Sequence, residues 1–181
     1  MPRWDWAWTR AVGCGWRRRR APVGGRDALI GDRLGLGHDE RRPAPLILGH
    51  EAGGAVLTGN AAAIWAAAPG AIGARPVPPS PDTDLSAPRP VSALAVDNAY
   101  DWPARTAQID WPARGLSLAL SASDCFRHLV AYTPPGAPYF CIEPLSHAPD
   151  AVNLERGCVQ SGLQRLDPGE TLHGTITLAR L

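Results

Sequence analysis

The sequence contains no lysine: all 18 of its Lys-or-Arg positions are arginine. Alanine, glycine and proline are abundant, so the bias points to a GC-rich coding sequence rather than to nucleic-acid recognition. An excess of charge of one sign is also missing. Eighteen Arg against 17 Asp and Glu leave a net charge of +1, which argues against a strongly acidic or basic partner. Long hydrophobic runs are absent: no apolar stretch reaches the roughly 18 residues of a membrane span. The first residues lack the apolar segment of a signal peptide. The expectation is a soluble cytoplasmic protein with no membrane and no nucleic-acid partner. Cysteine is scarce too. Cys14, Cys125, Cys141 and Cys158 show no Cys-x-x-Cys spacing, so reduced thiols are expected, not disulfides or a metal site.

What is present divides at about residue 42. The length of 181 residues suits one domain with a real core. Residues 1–42 read as a non-matching, poorly ordered segment. Trp4, Trp6 and Trp8 alternate as in a strand with one aromatic face, then Arg17 to Arg20 and a Gly-, Arg- and Asp-rich stretch follow. A basic run near Trp is also compatible with nucleic-acid binding, and a shifted reading frame or misplaced start would give the same composition. From residue 43 the pattern becomes a series of short strands. Ala55–Thr58 and Ala62–Trp65 flank Gly59-Asn60, read as a hairpin-type turn. The proline-dense stretch from Pro69 to Pro90 cannot be helix or central strand and reads as an extended surface connection. Val91 to Val96 reads as a strand ending at Asp97-Asn98.

Further strands are expected at Arg105–Asp110, Leu116–Leu120, Phe126–Tyr132 and Thr171–Leu178. Leu116, Leu118 and Leu120 alternate with Ser and Ala, which demands one buried face. No amphipathic helix is evident. Short strands at regular spacing, with turn signals between them, argue an all-β antiparallel sandwich or barrel.

Chemistry concentrates in Pro138-Tyr-Phe-Cys-Ile-Glu143-Pro-Leu-Ser-His147-Ala-Pro-Asp150-Ala-Val-Asn153. An apolar run meets an acid, and proline follows at once, so the strand is expected to end there with Glu143 at its rim. A solvated strand-end acid gives the same pattern. His147 follows closely enough to line the same loop, whereas Ser146, His147 and Asp150 lack the nucleophile elbow of a triad.

Cys141-Ile-Glu143-Pro144 with Pro149-Asp150-Ala151-Val152-Asn153 resembles the C-terminal signature of the aldose 1-epimerase (galactose mutarotase-like) family. Val96-Asp97-Asn98-Ala99-Tyr100 and the strand after it resemble that family's Asp-x-x-Phe/Tyr motif; Asp97 is otherwise an ordinary Asx-type turn. Asp167-Pro-Gly-Glu170 and the last strand fit the family's ending, so the resemblance covers residues 54 to 181.

The resemblance implies an antiparallel β-sandwich of the supersandwich type, incomplete at the N-terminus, with residues 43–181 as a partial mutarotase-like domain. It implies Glu143 as catalytic base, Asp97 as a sugar-hydroxyl acceptor, and His50 in Leu48-Gly49-His50 as general acid. The family's aromatic residues after that His and its upstream Asn-Arg motif are missing here. The implied reaction interconverts α and β anomers of an aldohexose or related sugar, with no cofactor or metal. The alternatives are a carbohydrate-binding remnant without turnover and a truncated fragment of such an enzyme.

Overall fold

The computed structural model describes residues 3–9, 13–18, 47–48, 52–65, 75–156, 160–168 and 170–181. Two antiparallel sheets face each other. One is seven-stranded, in the order β2 (Gly13–Arg18), β1 (Arg3–Thr9), β13 (Thr171–Arg180), β10 (Leu116–Ala122), β9 (Thr106–Trp111), β4 (Val56–Thr58) and β7 (Arg89–Pro90). The other is six-stranded, in the order β3 (Ile47–Leu48), β12 (Phe140–Leu145), β11 (His128–Tyr132), β8 (Asp97–Asp101), β5 (Ala63–Trp65) and β6 (Pro76–Val77). Among the described residues no helix is long and apolar enough to cross a membrane.

Period-two alternation builds the core between the sheets. From the larger sheet Ala107, Ile109, Trp111, Leu118, Leu120, Ile176 and Leu178 point inward and are buried, with Leu116 packed against them. The expectation of one buried leucine face on β10 therefore holds. From the smaller sheet Tyr100, Leu129, Ala131, Phe140 and Ile142 meet them. Polar tips of core aromatics are satisfied: Tyr100 Oη donates to Thr83 O at 2.9 Å and Trp102 Nε1 to Gly59 O at 2.8 Å. Among its described residues the proline-rich connection contributes the two-residue edge strands β6 and β7, where a missing N–H costs little, and the fully buried Leu85.

Three local expectations are corrected. Gly59-Asn60 does not close a hairpin: β4 lies in the larger sheet and β5 in the smaller, so this link changes layers. Asn60 takes a left-handed φ of 50°. At Gly59 a Cβ would meet Leu85 Cβ at 2.9 Å, so only glycine lets the chain pass. Val91 to Val96 is not a strand either. Val91–Ala93 forms a 3-10 turn, and buried Val91 and Leu94 are three apart, the spacing at which such a turn stacks its side chains. β8 consequently starts, rather than ends, at Asp97. Finally, a helix α1 (Ala151–Arg156) follows the site strand. At its start Asp150 (φ 61°) accepts the Asn153 side-chain amide on Oδ1 and the Asn153 and Leu154 main-chain N–H groups on its carbonyl oxygen.

β1 and β2 fall inside the segment expected to stand apart. β1 pairs with β13 from Arg3↔Thr177 to Thr9↔Thr171, extending the larger sheet.

Candidate active site

The outer face of the smaller sheet collects the polar side chains. Register sets Asp97 opposite Tyr132 and Tyr132 opposite Cys141; the next row is Ala99–Val130–Glu143, and the next Asp101–His128–Leu145. Since alternate residues share a face, Asp97, Asp101, Tyr132, His128, Cys141 and Glu143 all belong to the face turned away from the core. Asp97 and Glu143 are two strands and one row apart. That separation is about 12 Å between Cα atoms, from strand spacing and rise, with Tyr132 and Val130 of β11 between the two strands.

The β12 strand carries Glu143 differently from the sequence expectation. Pro144 does not end the strand; it is buried and lies opposite Leu129. Leu145 O accepts the Arg127 N–H at 3.0 Å, so Leu145 turns its backbone to β11 and Pro144 turns its own away. On that far side, among the described residues, β3 pairs Phe140 and Cys141, and the absent N–H of Pro144 costs no bond to β11. Glu143 thus sits within a paired strand, half-buried, rather than at a solvated rim. At Asp97, the start of β8 is fixed by Thr133: its N–H donates to Val96 O at 2.8 Å, and its Oγ1 accepts the Val96 N–H at 3.0 Å.

The three carboxylates have different surroundings. Asp101 is engaged: Trp65 Nε1 donates to its Oδ1 at 2.8 Å, and His128 Nε2 lies 3.3 Å from the same oxygen. The His128 hydrogen bond, helped by Trp65, holds Asp101 below the usual carboxylate range despite partial burial. Among the described residues, neither Asp97 nor Glu143 has a side-chain hydrogen bond or ion pair. Burial, and then the like charge of Asp97, push the Glu143 carboxyl upward. Burial and the charges of Glu143 and Asp97 likewise push the Cys141 thiol up to about 11, so it remains a protonated, inert thiol.

Toward β5 the row of Glu143 is covered. Trp65, Ala99 and Ala148 form a small buried cluster with Val130 and with Leu154 of α1. His128, 3% exposed, makes an edge contact with Trp65 at 5.7 Å. Sequence reasoning missed the Asp101–His128–Trp65 cluster. The parity of Asp97, Ala99 and Asp101 was its one available signal. His147 is exposed and its Nδ1 lies 3.0 Å from Ala148 O, while Asp150 binds Asn153, so no triad forms. His50 lies outside the described residues. Among the described residues no cluster of three His, Cys, Asp or Glu side chains has metal-holding geometry.

No family model and no curated protein matches the sequence. Solved structures do match. A galactose mutarotase-like protein from Clostridium acetobutylicum superposes with a TM-score of 0.62 at 18% identity, over 74% of this chain and 43% of that one. A candidate aldose 1-epimerase from Escherichia coli K12 gives 0.60 at 21% identity, over 71% and 46%. An aldose epimerase homologue from C. elegans gives 0.56 at 14% identity, over 73% and 47%. This chain therefore spans less than half the length of the structures it matches. What it shares with them, across almost three quarters of its own length, is the antiparallel galactose mutarotase-like fold.

Proposed function

We propose that the chain carries the site of a cytoplasmic aldose 1-epimerase-type isomerase acting on an aldohexose or related sugar. Glu143 removes the proton from the anomeric hydroxyl while an acid protonates the ring oxygen. The bond between the anomeric carbon and the ring oxygen breaks, giving the open-chain aldehyde. Rotation about the bond next to the carbonyl and reversal of both transfers yield the other anomer. Asp97 accepts hydrogen bonds from sugar hydroxyls, for which an ionised carboxylate is suited. His50 is the acid in this reading.

The observation that carries it is the pair itself. Glu143 and Asp97 share one face, two strands and one row apart, and no protein group among the described residues occupies their lone pairs. A carboxylate raised by burial and a like charge is a better base near neutral pH than an ordinary glutamate. Polarimetry on a freshly dissolved anomer tests it. Glu143→Gln keeps the shape but removes the basic pair, and the rate should fall by about 10²–10⁴-fold. Asp97→Asn should weaken sugar binding instead. A Glu143→Gln protein as active as its parent would refute the assignment. The chain's coverage of under half of each matched structure favours a second reading, sugar binding without turnover. Measurable binding with no polarimetric activity in the parent would establish it.

A further inference from the structure

Asp97 stands where β8 begins, and the rung that holds it there is not an ordinary one. The register continues from Asp97↔Tyr132 to Val96 and Thr133, a hydrogen-bonded position of the antiparallel pair. One bond of that position is regular: the Thr133 N–H donates to Val96 O at 2.8 Å. The other is substituted. The Val96 N–H goes to Thr133 Oγ1 at 3.0 Å, where a ladder would use the Thr133 carbonyl. The hydroxyl thus stands in for a main-chain acceptor at the last rung between β11 and β8.

The residues that follow explain the exchange. β11 ends at Tyr132, and Pro134-Pro135-Gly136 turns the chain, with the Ala137 N–H donating to Pro134 O at 3.1 Å and Gly136 at a φ of 73°. The departing backbone gives up its acceptor, and the side chain completes the rung. Water cannot replace it, because Val96 is 3% exposed and Thr133 2%; without the hydroxyl a buried donor would be stranded. On the other flank of β8 the described pairing with β5 runs from Asp101 to Ala99 and stops short of Asp97. Among the described residues, the hold on Asp97 therefore comes from β11 and Thr133.

We propose that Thr133 is a positioning residue for sugar binding: its hydroxyl fixes the backbone from which Asp97 reaches the substrate's hydroxyls. This rests on the reading of Asp97 as a sugar-binding carboxylate. Thr133 has the opposite parity to Tyr132 and is buried, so it acts through Asp97 and touches no sugar itself. Hydrogen bonds weaken steeply with distance and angle, so a β8 start that shifts or frays costs affinity.

Titration calorimetry with glucose and with galactose tests this on the parent, Thr133→Val, Thr133→Ser, Asp97→Asn and the Thr133→Val/Asp97→Asn double variant. Thr133→Val keeps the shape and removes the acceptor, and the dissociation constant should rise about tenfold. Thr133→Ala serves the same purpose should Thr133→Val not fold. Thr133→Ser keeps the hydroxyl and should stay within roughly twofold of the parent. In the Asp97→Asn background Thr133→Val should weaken binding no further, since the group it positions is already gone. A merely structural threonine would lower affinity in both backgrounds by the same factor. That result overturns the proposal, and so does parent-like affinity without the hydroxyl. Hydrogen exchange supplies a second check: the Val96 amide of the parent should be protected like the hydrogen-bonded amides of β8, and fast exchange there overturns the assignment. If Asp97→Asn binds sugar as the parent does, or the parent binds neither sugar, it is the underlying site reading that fails, and the role of Thr133 falls with it.

Discussion

Replacing Gly162 by alanine probes the cover over the His128–Asp101 cluster at its tightest point. Gly162 has a φ of +79°, and a Cβ there would lie 2.9 Å from His128 Cε1 and 3.0 Å from Ser146 O. Neither neighbour yields easily. His128 is held by Asp101 on one edge and packs against Trp65, and the Ser146 contact is main chain. Left-handed backbone costs alanine roughly 1–2 kcal/mol, and overpacking adds about 1–3 kcal/mol. The loss of freedom in the unfolded chain returns only about 0.4–1 kcal/mol. The expected net destabilisation is about 2–4 kcal/mol, a fall in Tm of roughly 5–15 °C for a chain of this size. Gly136 is the control: its φ is +73° with nothing within 4 Å of a built Cβ, so Gly136→Ala should show the backbone cost alone, about 1 kcal/mol. Urea unfolding followed by tryptophan fluorescence reads both variants. If Gly162→Ala is no more destabilised than Gly136→Ala, the close packing of this loop on His128 is wrong.

Two further outcomes follow from the carboxylates. The Glu143 carboxyl is raised in the folded state, so its ionisation opposes folding, and the cost appears as pH rises above the ordinary glutamate range through the raised value. Glu143→Gln should therefore be more stable than the parent at neutral pH and lose that advantage in acid; urea midpoints at several pH values check this, and a less stable variant at pH 7 would contradict it. Asp101 has the opposite sign. Its lowered pKa stabilises the fold above the ordinary aspartate range, and that stability is lost as pH falls through the depressed value. Asp101→Asn should cost about 1–2 kcal/mol at pH 7, allowing for screening of a partly exposed group, and should flatten the acid limb of the stability profile; an unchanged limb would show that Asp101 is not its source.

The sequence displays period well and register poorly, and the differences between expectation and structure follow that division. The alternation at Leu116–Leu120 and Thr171–Leu178 identifies strands because the buried face repeats every second residue within one segment. Nothing local says which strand lies beside which. Asp101 and His128 are 27 positions apart along the chain and become neighbours only because β8 and β11 pair in the observed register. The layer change at Gly59-Asn60 was hidden for the same reason: a short turn between two apolar runs has one spelling whether the runs pair or part. Pro144 misled differently. A proline removes a ladder donor, yet Pro144 lies within β12 opposite Leu129, with its backbone turned away from β11. That fact belongs to another segment of the chain.

The contrast between the carboxylates is what separates framework from site. Asp101 pairs with His128 and Trp65, which lowers its pKa and binds the sheet to the cluster beneath α1. The charge of Glu143 is instead opposed by burial and then by the like charge of Asp97. A sheet selected for stability alone would place an apolar or a countercharged residue at one of these positions. β12 carries the cost because its opposite face supplies Phe140 and Ile142, both fully buried, to the main core. The alternation that anchors the strand inward also fixes Glu143 outward, on a rigid element rather than a loop. Two carboxylates held in that way, with their acceptor capacity unused by the described protein groups, are what the proposed sugar-binding reading requires, because sugar hydroxyls bring their own donors.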